Sequence, residues 1–340
     1  MTPAVATAAI EDFQRTFAAV RAEMARVVIG HEQAIEAILT AFFAGGHVLI
    51  EGVPGIGKTL IVRSLAEALN LSFNRIQFTV DLMPADITGT RIINESPSGR
   101  RELVFVPGPI FAHLLLGDEI NRATPKTQSA LLEAMAEQQV TVAGTSHRLV
   151  SPFFVLATLN PIEMEGTYQL PEAQLDRFLF KVLLEYPSES ELVRILGTTT
   201  TADPPTVRPV LDAERAPARA EELKRLVREV LVAPHVEHYV AGLVRLTTPA
   251  GARGDGEAEV DVRRYVTYGA SPRGAQALVL GAKVMALLDG RPHVTYDDVD
   301  KIAVPALRHR LVMSFAAEAA GVAPADIVER VLLAARRLRS

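Results

Sequence analysis

Gly52-Val53-Pro54-Gly55-Ile56-Gly57-Lys58-Thr59 has the spacing G-x-x-x-x-G-K-[ST], directly after an apolar run and at the start of a helical pattern. Glycines in such a turn let the backbone wrap a phosphate and aim successive N–H groups at its oxygens. The positive end of the following helix adds to the attraction. Lys58 is suited to the β- and γ-phosphates of a nucleoside triphosphate, the Thr59 hydroxyl to Mg²⁺, and Leu60 continues the wrapped segment. Further along, the run from His113 ends in Asp118 and Glu119. A strand C-terminus is where an open α/β sheet holds its ligand. There Asp118 would hold the magnesium, directly or through water, and Glu119 would polarise an attacking water. Alone, such a pair is an ordinary helix N-cap; with the glycine turn it defines a hydrolase site.

Three more polar residues, two near predicted strand ends and one opening a helix, could act with them. Asn160, after the apolar run Phe153–Thr158, either positions the lytic water or starts a turn before Pro161. Arg177 precedes the last apolar run and has the spread charge that a phosphoryl-transfer transition state calls for, unless it is solvated or paired with Asp176. Arg273, opening a helix after Gly269-Ala270-Ser271-Pro272, carries the same two readings.

Short apolar runs alternating with amphipathic stretches must position these groups, the pattern of a parallel sheet covered by helices. The expected strands are His47–Glu51, Phe73–Phe78, His113–Gly117, Phe153–Thr158 and Leu179–Leu184, several apolar throughout and so buried on both faces. Thr124 and Pro125 open a helix as N-cap and first residue. Two hairpins interrupt the scheme: Arg91–Glu95 with Glu102–Val106 around Ser96-Pro97-Ser98-Gly99, and Gln139–Val142 with Ser146–Leu149 around Gly144. After Pro187 the chain turns Ala-, Leu- and Arg-rich. Helices are expected over Glu221–Val232, His235–Thr247, Pro272–Leu288, Tyr296–Leu311 and Pro324–Arg339, with a loop at Thr198–Pro209 and a mobile linker at Ala250–Glu259.

Composition bounds the rest. At 340 residues the chain has room for two domains; 49% hydrophobic and 22% charged is globular. The absence of Trp, 6% aromatics and a net charge of −5 argue against a dedicated polyanion binder. No cysteine means no disulfide, thiolate nucleophile or Cys-ligated metal, and a reducing cytoplasm is the expected location. The first residues lack the pattern of a secretory signal, and no apolar run is long enough to cross a bilayer.

Taken together, these residues resemble the AAA+ ATPases, and more closely their MoxR branch, over about Val27 to Ser314. The segments that carry the resemblance are Val28-Ile29-Gly30, GVPGIGKT at Gly52–Thr59, TVDLMPADITG at Thr79–Gly89 and FVPGPIF at Phe105–Phe111. They continue as LLLGDEINRATPKTQSALLEAM at Leu114–Met135, ATLNPIEMEGTYQLPEAQLDRF at Ala157–Phe178, GASPRG at Gly269–Gly274 and LRHRL at Leu307–Leu311.

The resemblance implies an α/β P-loop NTPase: an αβα core with a five-stranded parallel sheet over residues 1–186, then an all-α lid over 187–340. The hairpins would be inserts at about 81–109 and 139–149. It implies ATP and Mg²⁺ as cofactors and Val28, Ile29 and Gly30 against the adenine. Asn160 would be sensor 1, Arg273 the lid's sensor 2, and Arg177 an arginine finger reaching a neighbouring subunit, with Arg122 as its rival. A trans finger implies a homo-oligomeric, usually hexameric, ring. Gly117 stands where the family more usually has Ala, which would loosen the strand end.

The function implied is chaperone-like remodelling of a protein client, with a von Willebrand factor A domain partner. The alternatives are the ATPase subunit of a magnesium or cobalt chelatase and a DNA-directed motor. Against the first stand eight scattered histidines, with only His235 and His238 at helical spacing. Against the second, the arginines from Arg330 to Arg339 read as the polar face of the last helix, which leaves nucleic acid outside the expected partners.

Overall fold

Apolar runs too short for helices, each followed by an amphipathic stretch, pair side by side in a computed structural model that describes residues 3–95, 101–160, 167–254 and 256–339. The first part comprises α1 (Pro3–Val27), α2 (Glu32–Ala44), β1 (His47–Glu51), α3 (Lys58–Leu69), β2 (Phe73–Gln77), α4 (Pro84–Thr88), β3 (Gly89–Glu95) and β4 (Arg101–Pro107). Next come β5 (Leu114–Asp118), α5 (Pro125–Glu137), β6 (Gln139–Val142), β7 (Thr145–Arg148), β8 (Phe154–Leu159), α6 (Glu172–Leu175), β9 (Phe178–Leu183) and α7 (Glu189–Thr199). The lid holds α8 (Ala216–Glu229), α9 (Pro234–Leu246), α10 (Glu257–Tyr265), β10 (Val266–Tyr268), α11 (Pro272–Leu288), α12 (Tyr296–Leu307), β11 (Val312–Met313), α13 (Phe315–Ala320) and α14 (Pro324–Ala335).

The five expected strands form one sheet in the order β2-β5-β8-β1-β9, all parallel. Because β1 and β8 are central and covered on both faces, their residues are apolar without alternation. β3 pairs with β4 and β6 with β7 as separate hairpins. The turn expected at Ser96–Gly99 lies outside the described residues. In the second hairpin Ala143 and Gly144 take positive φ angles of 47° and 78°, the geometry of a two-residue turn. On one face of the sheet Phe13 of α1 meets Phe43 of α2 edge-on at 5.2 Å, and Phe42 meets Phe154 of β8 at 5.4 Å.

The lid departs from the expectation in three places. It is not all-α: Val266 pairs with Met313 and Tyr268 with Val312, a short antiparallel ribbon that satisfies backbone groups where α10 and α12 have ended. Ala250–Glu259 is not a linker throughout, since α10 begins at Glu257. Glu257 and Glu259 suit its first turn, and Ala258, Val262 and Tyr265 give it a buried face. α12 stops at Leu307 rather than Leu311, because Arg310 turns inward to the backbone of β9, as described below.

Other parts of the chain are spoken for internally. Arg330 pairs with Asp261, and Arg339 with Asp297 and Asp300. His238 Nδ1 bonds to Pro234 O at 2.7 Å and His235 sits edge-on to Tyr296. Among the described residues no helix is long and apolar enough to cross a membrane.

Candidate functional site

β1 hands Glu51 into the glycine turn. Gly55 and Gly57 have φ of +82° and +95°, a region that side chains other than glycine enter at a cost. A Cβ on Gly52 would stand 3.1 Å from Leu184 Cβ and 3.2 Å from Leu184 O. Gly57 is the N-cap of α3, so the N–H groups of the first helical turn, from Lys58 through Leu60, are offered without intrahelical partners. The Leu60 side chain is 39% exposed and Ile56 packs towards the core, so both would serve a ligand through their backbone. Lys58 is buried, and its Nζ donates to Gly52 O at 2.6 Å and Leu159 O at 3.5 Å. Burial pushes its pKa down, while Asp118, Glu119 and Glu51 act in the opposite sense, which sets the ammonium in the field of both acids.

The register explains why these groups converge. Glu51 lies opposite Leu159, and Gly117 opposite Ala157. Gly52, Asn160 and the Asp118–Glu119 pair therefore leave three adjacent strands on one edge of the sheet. Asn160 is buried there. Thr158 Oγ1 donates to Asp118 Oδ1 at 2.6 Å and accepts from Glu119 N at 2.8 Å. Glu119 has φ +56° and ψ +51°, a left-handed backbone costing about 1–3 kcal/mol for a non-glycine residue and concentrated at functional sites. Gly117 has a use of its own, since a Cβ there would approach Phe78 at 3.2 Å and Leu131 at 3.3 Å.

Both acids carry resting partners. Arg75 donates to Asp118 Oδ2 through Nη2 at 2.7 Å and Nε at 3.2 Å. Gln77 Nε2 donates to Glu119 Oε2 at 2.9 Å, and Arg122 Nε lies 3.1 Å from the same oxygen. Arg122, the rival for the finger role, is paired at rest with its own chain's Glu119. The donor set fits magnesium: Thr59 and Asp118 offer the hard oxygens this ion takes alongside substrate phosphates, and Asp118 Oδ2 already neutralises a cation in Arg75.

The opposite edge of the sheet is built from other residues. His47 opens β1 opposite Phe178, so Arg177 stands beside the start of β1, about 15 Å from its own glycine turn at ~3.3 Å per strand residue. Arg177 Nη1 donates to Leu132 O, and its Nε is buried without a hydrogen-bond partner. Asp176 accepts from Arg310 Nε at 2.8 Å and from Ser271 Oγ at 2.6 Å. Arg310 continues to Leu179 O at 3.0 Å and Phe178 O at 2.8 Å. Because Ser271 ties the start of α11 to Asp176, Arg273 shares a hollow of about 270 Å³ with Arg177 and Gly46. Arg273, expected as the lid's sensor 2, thus faces the same way as Arg177.

Gly30, with φ +74°, sits where a Cβ would stand 2.8 Å from Glu191 Oε1 of α7 and, with His31, lines a hollow of about 400 Å³ closed by Glu185, Tyr186 and Arg308. Leu184 packs on Gly52, so this hollow adjoins the glycine turn. Val28 and Ile29 are buried behind it and only Gly30 of the three lines it. Sequence reasoning passed over Arg75, Gln77, Thr158 and Arg308. The first two flank buried Ile76 on β2, so strand alternation would have put both on one face. Thr158 is a polar residue in a run that is otherwise apolar.

Residues 47–180 match the profile of the ATPase family associated with various cellular activities (AAA), and residues 258–331 that of the AAA lid domain. The chain is 42% identical to Chaperone MoxR1 of Mycobacterium tuberculosis over 313 residues, 91% of this chain and 79% of that one. It is 32% identical to Protein MoxR of Methylorubrum extorquens over 317 residues, 90% of each. A crystal structure of a candidate ATPase from Cytophaga hutchinsonii superposes with a TM-score of 0.85 at 37% identity, covering 96% of both chains.

Proposed function

Since this chain belongs to the MoxR branch of the AAA+ ATPases, we propose that it couples Mg²⁺-dependent ATP hydrolysis to chaperone-like remodelling or activation of a protein client. The observation that carries this reading is the buried Lys58 in the shared field of Asp118 and Glu119 at the end of a glycine turn. On nucleotide binding, Lys58 exchanges the Gly52 carbonyl for the β- and γ-phosphates. Thr59 and Asp118 would hold Mg²⁺, which when bound neutralises charge on the phosphate oxygens. Glu119 leaves Gln77 and Arg122 to orient and polarise the attacking water, with Asn160 beside it. Arg177 stands too far from its own glycine turn to serve it, so it completes the site of a neighbouring copy, with Arg273 at its side. The reading includes a ring, hexameric by family resemblance, and a division into a core up to residue 186 and a lid beyond it.

A protein client and a von Willebrand factor A domain partner are the reading favoured here, in the cytoplasm; the name of the mycobacterial relative supports a chaperone role. Glu119→Gln tests the chemistry. Nucleotide binding should be retained while turnover falls about 10²–10⁴-fold, as for removal of a catalytic base. Equal rates would take Glu119 out of the mechanism. The same variant held in ATP should retain the client in a pull-down.

A further inference from the structure

Three lid residues in a row, Arg308, His309 and Arg310, part company. His309 and Arg310 are buried against β9 on the far edge of the sheet. Arg308, the C-cap of α12, instead lines the hollow beside the glycine turn. Its Nε is buried with no hydrogen-bond partner. Burial works against its charge, and the nearby carboxylates of Glu51, Glu329 and Glu185 work for it. Glu51 is the residue that leads into the glycine turn, so the guanidinium stands at the threshold of the nucleotide site.

The lining of this hollow says which part of a nucleotide it suits. Among the described residues around it, Glu32, Glu185 and Glu191 are acidic, and Arg308 is the only lysine or arginine. Carboxylates repel phosphates, which the glycine turn takes in any case. A purine base with its ribose is neutral and presents both kinds of group: an amino group and hydroxyls to donate to carboxylates, ring nitrogens and ribose oxygens to accept from a guanidinium. Tyr186, 76% exposed at the rim, offers a ring face for the base.

We propose that Arg308 is the lid's contact with the nucleoside half of the bound nucleotide, donating to a ring nitrogen or ribose oxygen. The lid would then register occupancy by ATP and ADP alike, while the γ-phosphate is read elsewhere. This rests on the nucleotide-site reading above. Arg308→Met keeps the aliphatic stem and removes the donors; Arg308→Ala is the second variant. Calorimetric titrations with ADP, and with ATP in the Glu119→Gln background, read the effect, and melting of the nucleotide-free chains checks the fold. Loss of a charged hydrogen bond predicts about tenfold or greater weakening, by the same factor for ADP and ATP. Unchanged dissociation constants with a wild-type chain that binds would overturn the role of Arg308 alone. Loss confined to ATP would overturn it too, making Arg308 a γ-phosphate sensor. A wild-type chain that binds neither nucleotide would overturn the site reading together with this one.

Discussion

At the C-terminal ends of the strands, charged groups are held by partners they can exchange; at the N-terminal ends they are held by partners they cannot. Asp118 is paired with an Arg75 side chain that is 47% exposed, and Glu119 with an Arg122 side chain that is 36% exposed. The acids themselves are 10% and 16% exposed, but their cationic partners lie open to water and can swing away when a stronger ligand arrives. On the far edge the Arg310 side chain is 3% exposed, locked between Asp176 and the carbonyls of β9. The difference follows from what each edge has to do. Under the proposed function one must release its acids when a nucleotide arrives, whereas the other must hold Arg177 in a fixed attitude towards a neighbouring copy.

The sharpest way to break that contrast is to separate the two edges on different copies. Arg177→Ala should lower ATPase activity by about 10³–10⁵-fold, the range for an arginine that stabilises the transferring phosphate. Lys58→Ala should be inactive for a different reason, having lost its hold on the phosphates. Mixing the two purified variants should restore measurable phosphate release, because an intact glycine turn on one copy meets an intact Arg177 on its neighbour. A mixture as inactive as its parents would mean that Arg177 serves its own chain or none.

Stability measures the contrast from another side. Asp176→Ala leaves Arg310 buried with its carboxylate gone and should cost about 3–5 kcal/mol in urea unfolding, as for other buried pairs broken on one side. Arg75→Ala on the nucleotide edge should cost about 1 kcal/mol or less. Similar values for the two would mean that the edges do not differ in rigidity.

These locations were unevenly legible in the sequence. The five strands were readable because each is an apolar run set off by turns, and their ends came within a residue of those observed. The glycine turn and the Asp118–Glu119 pair were readable because phosphate binding demands glycines and a lysine at fixed local spacing. Arg75 on Asp118 and Thr158 between the two acids were hidden, since those contacts depend on strand order, and β2, β5 and β8 are neighbours in space but not in sequence. The direction Arg273 faces was hidden for the same reason. Its sequence suits a lid residue over a nucleotide, and what turns it to the far edge is a hydrogen bond between Ser271 and Asp176 across 95 positions of chain. α10 was obscured by the glycines preceding it, although its Ala258–Val262–Tyr265 face was present to be counted.

The subtlest prediction, a change in the slope of stability against pH, uses the buried histidines of the far edge. His47 Nδ1 accepts from Val155 N at 3.0 Å and its Nε2 faces Met135 O at 3.3 Å, which fixes the neutral tautomer with the proton on Nε2. Burial pushes its pKa down from 6.5 to about 4, and His309 is displaced the same way by burial and by Arg310 beside it. In the unfolded chain these rings take up a proton as pH falls below 6.5, whereas the folded His47 resists until about 4. Stability is therefore whole above pH 6.5 and is lost on the acid side, at up to ~1.4 kcal/mol per pH unit from His47, or ~3 kcal/mol by pH 4. His47→Asn keeps an acceptor for Val155 N but cannot take the proton. It should lower stability at neutral pH and flatten its fall between pH 6.5 and 4, as read from urea midpoints across that window. An acid slope unchanged by the substitution would show that His47 is not among the groups that make the far edge sensitive to acid.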